Sequence, residues 1–348
     1  VATAVAAPLR ARSALLSCGR SRGLGLLLAA VVLVLVALGS VLIGTFSVTV
    51  ADVAAAVSGP PENDVERVVR HLRIPRVVTG LLAGAALGIA GAVMQGVTRN
   101  PLAGPGLLGV NSGAALAVVL AMTGFGITTA AGYVWFAFAG AAIAAVVVYT
   151  LGSLGLGGAT PVKLALAGAA FTALLGALTS MITLQDAATM DDFRFWVVGS
   201  LTRSDGASLI AVAPFVAAGI VLAASLTRTL NALALGDDLA RGLGTRLWAA
   251  RAAAALAVVL LAGGATAIAG PLGFIGLVVP HIARMIAGPD YRWVLAWTSV
   301  LAPTLLLIAD TAGRVVVRPE QLQVGIITAL AGAPFFLYLV RNRKVTGV

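Results

Sequence analysis

The chain has 348 residues, 60% of them hydrophobic and 10% charged, with a formal net charge of +10. Apolar runs recur from one end to the other, which excludes an ordinary soluble domain and marks a polytopic membrane protein. The basic residues lie mostly in the connections between those runs, where they act as topology signals, so the charge does not speak for a nucleic-acid partner.

A helical span needs roughly 20 mostly apolar residues, because only a hydrogen-bonded helix or a closed barrel satisfies its backbone in lipid. The runs are too long and too little alternating for barrel strands, so the expected fold class is an all-α polytopic membrane protein. Ten spans are predicted in chain order: 24–46, 77–97, 105–122, 133–151, 162–184, 207–226, 249–269, 273–287, 293–313 and 322–340. The first follows Arg10, Arg12, Arg20 and Arg22 in the charge order of a signal peptide. Its length and the absence of a small-residue cleavage site read as a retained signal anchor. One integral domain, 24–341, is expected, with tails 1–23 and 342–348. The polar interruptions reach only about 25 residues, too short to bury a separate core.

If the amino terminus is cytoplasmic, 15 of the 23 lysines and arginines fall on the inner side, and ten of the 13 acidic residues fall on the outer side. The basic bias is the part that sets orientation, and it predicts an even number of spans with both ends cytoplasmic. Trp135, Trp248, Trp293 and Trp297 lie at span ends, where interfacial aromatics belong.

Between the second and third spans the chain reads VMQGVTRNPLAGPGLLGVNSG, 93–113, with five glycines and two prolines. Pro101 and Pro105 cannot donate backbone hydrogen bonds, so one span must end and the next begin within a few residues. An ordinary cytoplasmic hairpin and an irregular segment covered by protein at membrane depth are both open. Inside the spans glycine and alanine permit close helix packing. Ala83–Gly91, AGAALGIAG, is echoed by Ala262–Gly270, AGGATAIAG, five crossings later. The two would run in opposite directions, as in an inverted repeat, although chance similarity competes in so alanine-rich a chain.

Catalytic chemistry finds little to use. Cys18 is the single cysteine and His71 and His281 the only histidines, so no disulfide or closed zinc site can form within the chain. There is no Ser/His/Asp grouping and no pair of intramembrane aspartates, which argues against a membrane enzyme. A Walker A loop needs Gly-Lys followed by Ser or Thr. Lys163 follows Val162 and Lys344 follows Arg343, so the chain holds no P-loop. An ion-coupled secondary transporter would need charged pairs within its spans, whose central parts are almost free of charge.

Several long motifs occur in a set order: RIPRVVTGLLAGAALGIAGAVMQGVTRNPLAGPGLLGVNSGA at 73–114, GDDLARGLG at 236–244, GPLGFIGLVVPHIAR at 270–284, LIADTAGR at 307–314 and VGIITALAGAPFFLYL at 324–339. In these the chain resembles the FecCD-type permeases, the membrane subunits of importers for ferric siderophores, haem and cobalamin. The resemblance implies a ten-span type II ABC importer permease that works as a dimer, identical or related, with a pair of separate ATPase subunits and an extracytoplasmic substrate-binding protein as partners. Membrane lipid is its solvent, and no cofactor is implied in this chain. The implied cargo is a metal chelate, a ferric siderophore first and haem or cobalamin as alternatives.

The resemblance also implies site residues. Gly236, Asp237, Asp238, Leu239, Ala240, Arg241, Gly242, Leu243 and Gly244 become the segment that couples to the ATPase; a solvated basic loop is the alternative. Arg73, Arg76 and Arg314 become contacts for carboxylates of the binding protein, with interfacial snorkelling or a local partner such as Asp310 or Glu320 as the alternative. Met94, Gln95 and Asn111 are pathway candidates. So are Thr172, Thr179 and Thr183, which share one face of the fifth span by their spacing but can equally bond their own helix backbone. The gate before the fifth span falls on Ala159 to Lys163, with Thr160, Pro161 and Val162 at its centre. Pro161 departs from the small hydroxyl pair that the family leads one to expect there. His281 and Arg284 read as structural.

Overall fold

The computed structural model describes residues 15–16, 18–45, 48–154, 160–202 and 204–342. Every regular element among them is helical. Seven helices are long and apolar enough to cross a membrane, and three shorter apolar helices accompany them. Together they overlie the ten segments expected from the sequence.

Helix α1 (Gly19–Leu42) is followed by two short helices that hydropathy does not announce, α2 (Val50–Ser58) and α3 (Asp64–Val68). α2 starts on a capping box: the Thr49 hydroxyl accepts from the Asp52 amide, and the Asp52 carboxylate accepts from the Thr49 amide. The Thr49 hydrogen bonds also hold the Asp52 carboxyl below its ordinary pKa. α3 runs without a break into α4 (Ile74–Thr98) through a π-helical segment, Val69–Arg73. Pro75 lies just beyond it. Proline lacks the amide that an α-helix needs and its ring crowds the preceding turn, and a wider turn at that point relieves both.

The remaining elements are α5 (Val110–Phe125), α6 (Ala130–Ser153), α7 (Pro161–Thr183), α8 (Ala187–Val197), α9 (Gly206–Ser225), α10 (Thr227–Ala234) and α11 (Asp237–Gly242). Then come α12 (Leu247–Val258), a second π segment at Val259–Gly263, α13 (Gly264–Ala269), α14 (Ile275–Ala287), α15 (Tyr291–Val316) and α16 (Val324–Asn342). α8 is a polar-capped helix outside the spans, begun by Asp186 accepting from the Ala188 and Thr189 amides.

α4 is the axis of the bundle, packed against α9, α12, α13, α14 and α15. Within the Asp64–Thr98 span 78% of the most apolar window is buried, and within Leu247–Ala269 72%, against 11% for α1 and 17% for the fifth span. The first two are therefore interior helices, and α1 and α7 stand at the periphery. Glycine makes the close approaches: a Cβ on Gly91 would collide with the Gly276 carbonyl of α14, and Gly113 and Gly140 press their backbones together between α5 and α6. Without a hydrophobic force between helices in lipid, such small-residue contacts supply the dispersion that holds them. Of the four tryptophans placed at span ends, Trp135 and Trp248 are exposed, but Trp297 is buried, its ring against Gly25 of α1.

The interruption at 93–113 is irregular between the end of α4 and the start of α5, and it is partly covered by protein. α4 stops at Arg99, a non-glycine residue at φ +50°. The Asn100 side chain accepts from the Leu102 amide, a 3₁₀ turn spans Pro105–Leu108, and Gly109 at φ +70° starts α5. Ala103, Leu108 and Val110 are buried, and the Leu107 carbonyl lies against Gly168 of α7. Protein thus covers part of this irregular backbone, while Asn100, Leu102 and Gly106 are exposed.

Candidate functional site

Three groups of residues carry the candidate roles. The first is a buried cluster of charge where α1, α4 and α15 meet. Arg76 donates from Nε to both carboxylate oxygens of Asp310, at 2.9 and 3.1 Å, and from a terminal nitrogen to Gln321 at 2.8 Å. Arg314 pairs with the same carboxylate at 3.2 Å and donates to the carbonyls of Ser40 and Ile43, both at 2.8 Å. Arg73 donates to the carbonyls of Val41 and Leu42 at 2.7 and 2.9 Å. These carbonyls are the ones a helix end leaves without partners, so two arginines close the end of α1. Asp310 is fully buried and the three arginines are at most 8% exposed. Asp310 is thus a local partner of both Arg76 and Arg314. The arginines are not a free rim, because the carboxylate and the α1 carbonyls draw them inward. They still border a cavity of about 210 Å³ with Gly44, Thr202 and Gln321.

The second group is α11 and its flanks. Gly236 at φ +107° precedes the helix and Gly244 at φ +82° follows it, conformations that glycine adopts without strain. Ala240 is buried, while Leu239 and Leu243 are 62% and 67% exposed, one turn apart on the same face. Asp238 pairs with Arg241 within the helix at 2.8 Å, both of them exposed. Asp237 points the other way, 2.8 Å from Arg251 of α12 and 3.5 Å from Arg99. The result is a short foot presenting two leucines outward with charge beside them.

The third group is the set of pathway candidates, which the structure distributes over several contacts. Gln95 donates to the Leu277 carbonyl at 3.1 Å and accepts from Arg284, tying α4 to α14. Met94 is buried beside it. Asn111 accepts from the Thr266 hydroxyl of α13 at 3.1 Å. Thr179 and Thr183 donate to their own helix, to the carbonyls of Leu175 and Thr179. Thr172 is half-buried on the same helix. Thr160 caps α7, its hydroxyl accepting from the Lys163 amide at 3.3 Å, Pro161 occupies the first turn, and Val162 is exposed. Ala159 lies outside the described residues. The described residues offer no group of three or more His, Cys, Asp or Glu that could hold a metal ion.

Sequence reasoning missed the division of labour between Asp237 and Asp238 and the roles of Arg99 and Arg251. The one available signal was Arg99 itself, a charge set in a proline- and glycine-rich turn at the end of an apolar helix.

Comparison with known proteins agrees with this architecture. A family model described as the FecCD transport family matches residues 31–342. The ferric enterobactin transport system permease protein FepD of Escherichia coli (strain K12) is 46% identical over 88% of this chain and 92% of its own length. The hemin transport system permease protein HmuU of Yersinia pestis is 36% identical over 92% of this chain and 96% of its own. A solved structure titled "An inward-facing conformation of a putative metal-chelate type ABC transporter" superposes with a TM-score of 0.81 at 28% identity, covering 92% of this chain and 100% of that one. By a match that runs from within the first span to the end of the last and includes both charged groups, the chain belongs to the FecCD transport family.

Proposed function

We propose that this chain is the permease subunit of an ATP-driven importer that carries a ferric siderophore across the bacterial cytoplasmic membrane. Two permease subunits, identical or related, enclose the path, a separate pair of ATPase subunits drives it, and an extracytoplasmic binding protein delivers the cargo. Both termini then face the cytoplasm, and residues 24–341 form the one membrane domain. The observation that carries this reading is α11: a six-residue helix that exposes Leu239, with Leu243 exposed just after it, in a chain that holds no P-loop. ATP closes the ATPase pair, α11 is displaced, and the cavity between the permeases changes the side it faces. No covalent chemistry is required of this chain.

The siderophore assignment rests on FepD at 46% identity; HmuU at 36% makes haem the second cargo to test. Three guanidinium groups and one carboxylate around the outer cavity leave a positive excess that suits the acidic side chains of a binding protein. On this reading Arg73 and Arg314, which also close the end of α1, and Arg76, held by Asp310 and Gln321, supply the docking field. The exposed faces of α7 (Leu166, Leu174, Met181) and α16 (Leu330, Leu337) fit a second permease subunit. On this reading Thr160–Val162 lies at the inner mouth as the gate, and Met94, Gln95, Asn111, Thr172, Thr179 and Thr183 shape the path.

The test is reconstitution of the permease with its ATPase and binding protein in vesicles. ATP-dependent accumulation of a ferric siderophore in preference to haem or cobalamin is expected. Accumulation by vesicles containing this polypeptide as their only protein would overturn the proposal.

A further inference from the structure

Asp237 and Asp238 are neighbours in sequence and opposites in space. Asp238 is 98% exposed at its side chain and, among the described residues, bonds within α11, to Arg241. Asp237 is 28% exposed and joins two other elements: one carboxylate oxygen meets Arg251 of α12 at 2.8 Å, and the other meets Arg99 at the end of α4 at 3.5 Å. Arg251 is 12% exposed, so this pair is shielded more than an ordinary surface ion pair.

The two elements reached belong to the two most buried of the seven long spans. Asp237 meets α4 at its last residues and α12 near its first, so the two spans run antiparallel from a common end, and the segments that echo each other, 83–91 and 262–270, lie along them. The backbone offers a looser link. α11 is flanked by Gly236 and Gly244, both at positive φ, which are the points where the main chain turns most freely. A second side-chain tie holds α10 to α15 through Asn231 and Asp290 at 2.8 Å, but it does not touch α4 or α12.

We propose that Asp237 is a positioning residue that delivers the displacement of α11 to α4 and α12 together, so that both interior spans move as one. The inference rests on α11 being the contact for the ATPase. Replacing the carboxylate leaves the foot joined through its glycine turns and its packing on α10 and α12, where Ala240 is buried, and leaves Arg99 and Arg251 without the anion between them. Such a permease still meets its ATPase through Leu239 and Leu243, and it transmits less of the stroke.

The experiment uses the complete transporter, with permease, ATPase and binding protein in proteoliposomes, and compares Asp237→Asn, Asp237→Glu and, as a control for a lost surface charge, Asp191→Asn. For Asp237→Asn the ATPase still copurifies, and solute imported per ATP hydrolysed falls by roughly tenfold, the size of an ordinary coupling between sites. Asp237→Glu recovers most of that ratio, a result that an indifferent surface position would not produce. An unchanged ratio in Asp237→Asn, or an equal fall in Asp191→Asn, overturns the inference. Loss of ATPase association in Asp237→Asn overturns it as well, by making Asp237 a docking contact. Failure of the unmodified permease to bind an ATPase sinks the function proposed above, a separate outcome.

Discussion

Asp310 shows how much one residue can hold together. Its carboxylate, fully buried, answers two guanidinium groups, and Arg314 in turn closes the end of α1. Taking away one partner of a buried pair costs more than the pair contributes, because the charge left behind is desolvated without compensation. Asp310→Ala is therefore expected to destabilise the permease by about 3–5 kcal/mol, read as a fall in the thermal midpoint of the detergent-solubilised protein. Arg67 and Asp64 also pair, at 3.0 Å, but both are mostly exposed, and Arg67→Gln should shift the midpoint little. Asp310 was legible in the sequence as a neighbour for Arg314, four residues on. As a partner for Arg76 it stood as one alternative among several, because those residues lie 234 positions apart and only the packing of α4 on α15 brings them together.

Caps and glycines set the elements. α9 begins at Asp205, whose side chain accepts from the Ser208 amide at 2.9 Å and from the Ser208 hydroxyl. These bonds to Ser208 hold the Asp205 carboxyl below its ordinary range. A lowered carboxyl stabilises the fold at pH values above its unfolded pKa, and that contribution fades as the pH falls through the lower folded value. Asp205→Ala is expected to cost about 1 kcal/mol, with the difference from the unmodified protein shrinking in acid; melting curves across pH check both. Gly91 is a sharper test of α4 against α14. A valine there must displace the Gly276 carbonyl, so Gly91→Val should abolish the folded monodisperse peak in detergent chromatography. The apolar runs foretold the spans. They did not foretell α2, α3, α8 or the π segments, because short amphipathic or polar-capped helices leave no hydropathy signal and a π turn answers to the residues packed around it.

At the scale of the whole molecule the two charged groups stand at opposite ends of α4: Arg76 near its start and Arg99 at its close. The proposed docking of the binding protein and of the ATPase would thus act on the two ends of one buried helix. A bulky charge at the foot should uncouple the assembly. Gly242→Arg with Leu243→Glu is expected to eliminate copurification of the ATPase, with the permease still folded by chromatography; unchanged copurification would remove α11 from that role.

What the sequence determined alone is the all-helical class, the number and places of the apolar segments, and the break at 93–113. Lipid makes each span satisfy its own backbone, so those properties are local and can be read residue by residue. Only the tertiary structure decided that Arg73, Arg76 and Arg314 turn inward, that Gln95 bonds α14, and that of two adjacent aspartates Asp237 reaches back to α4 and α12. A side chain's partner depends on which distant segment packs beside it, and that is a property of the whole fold.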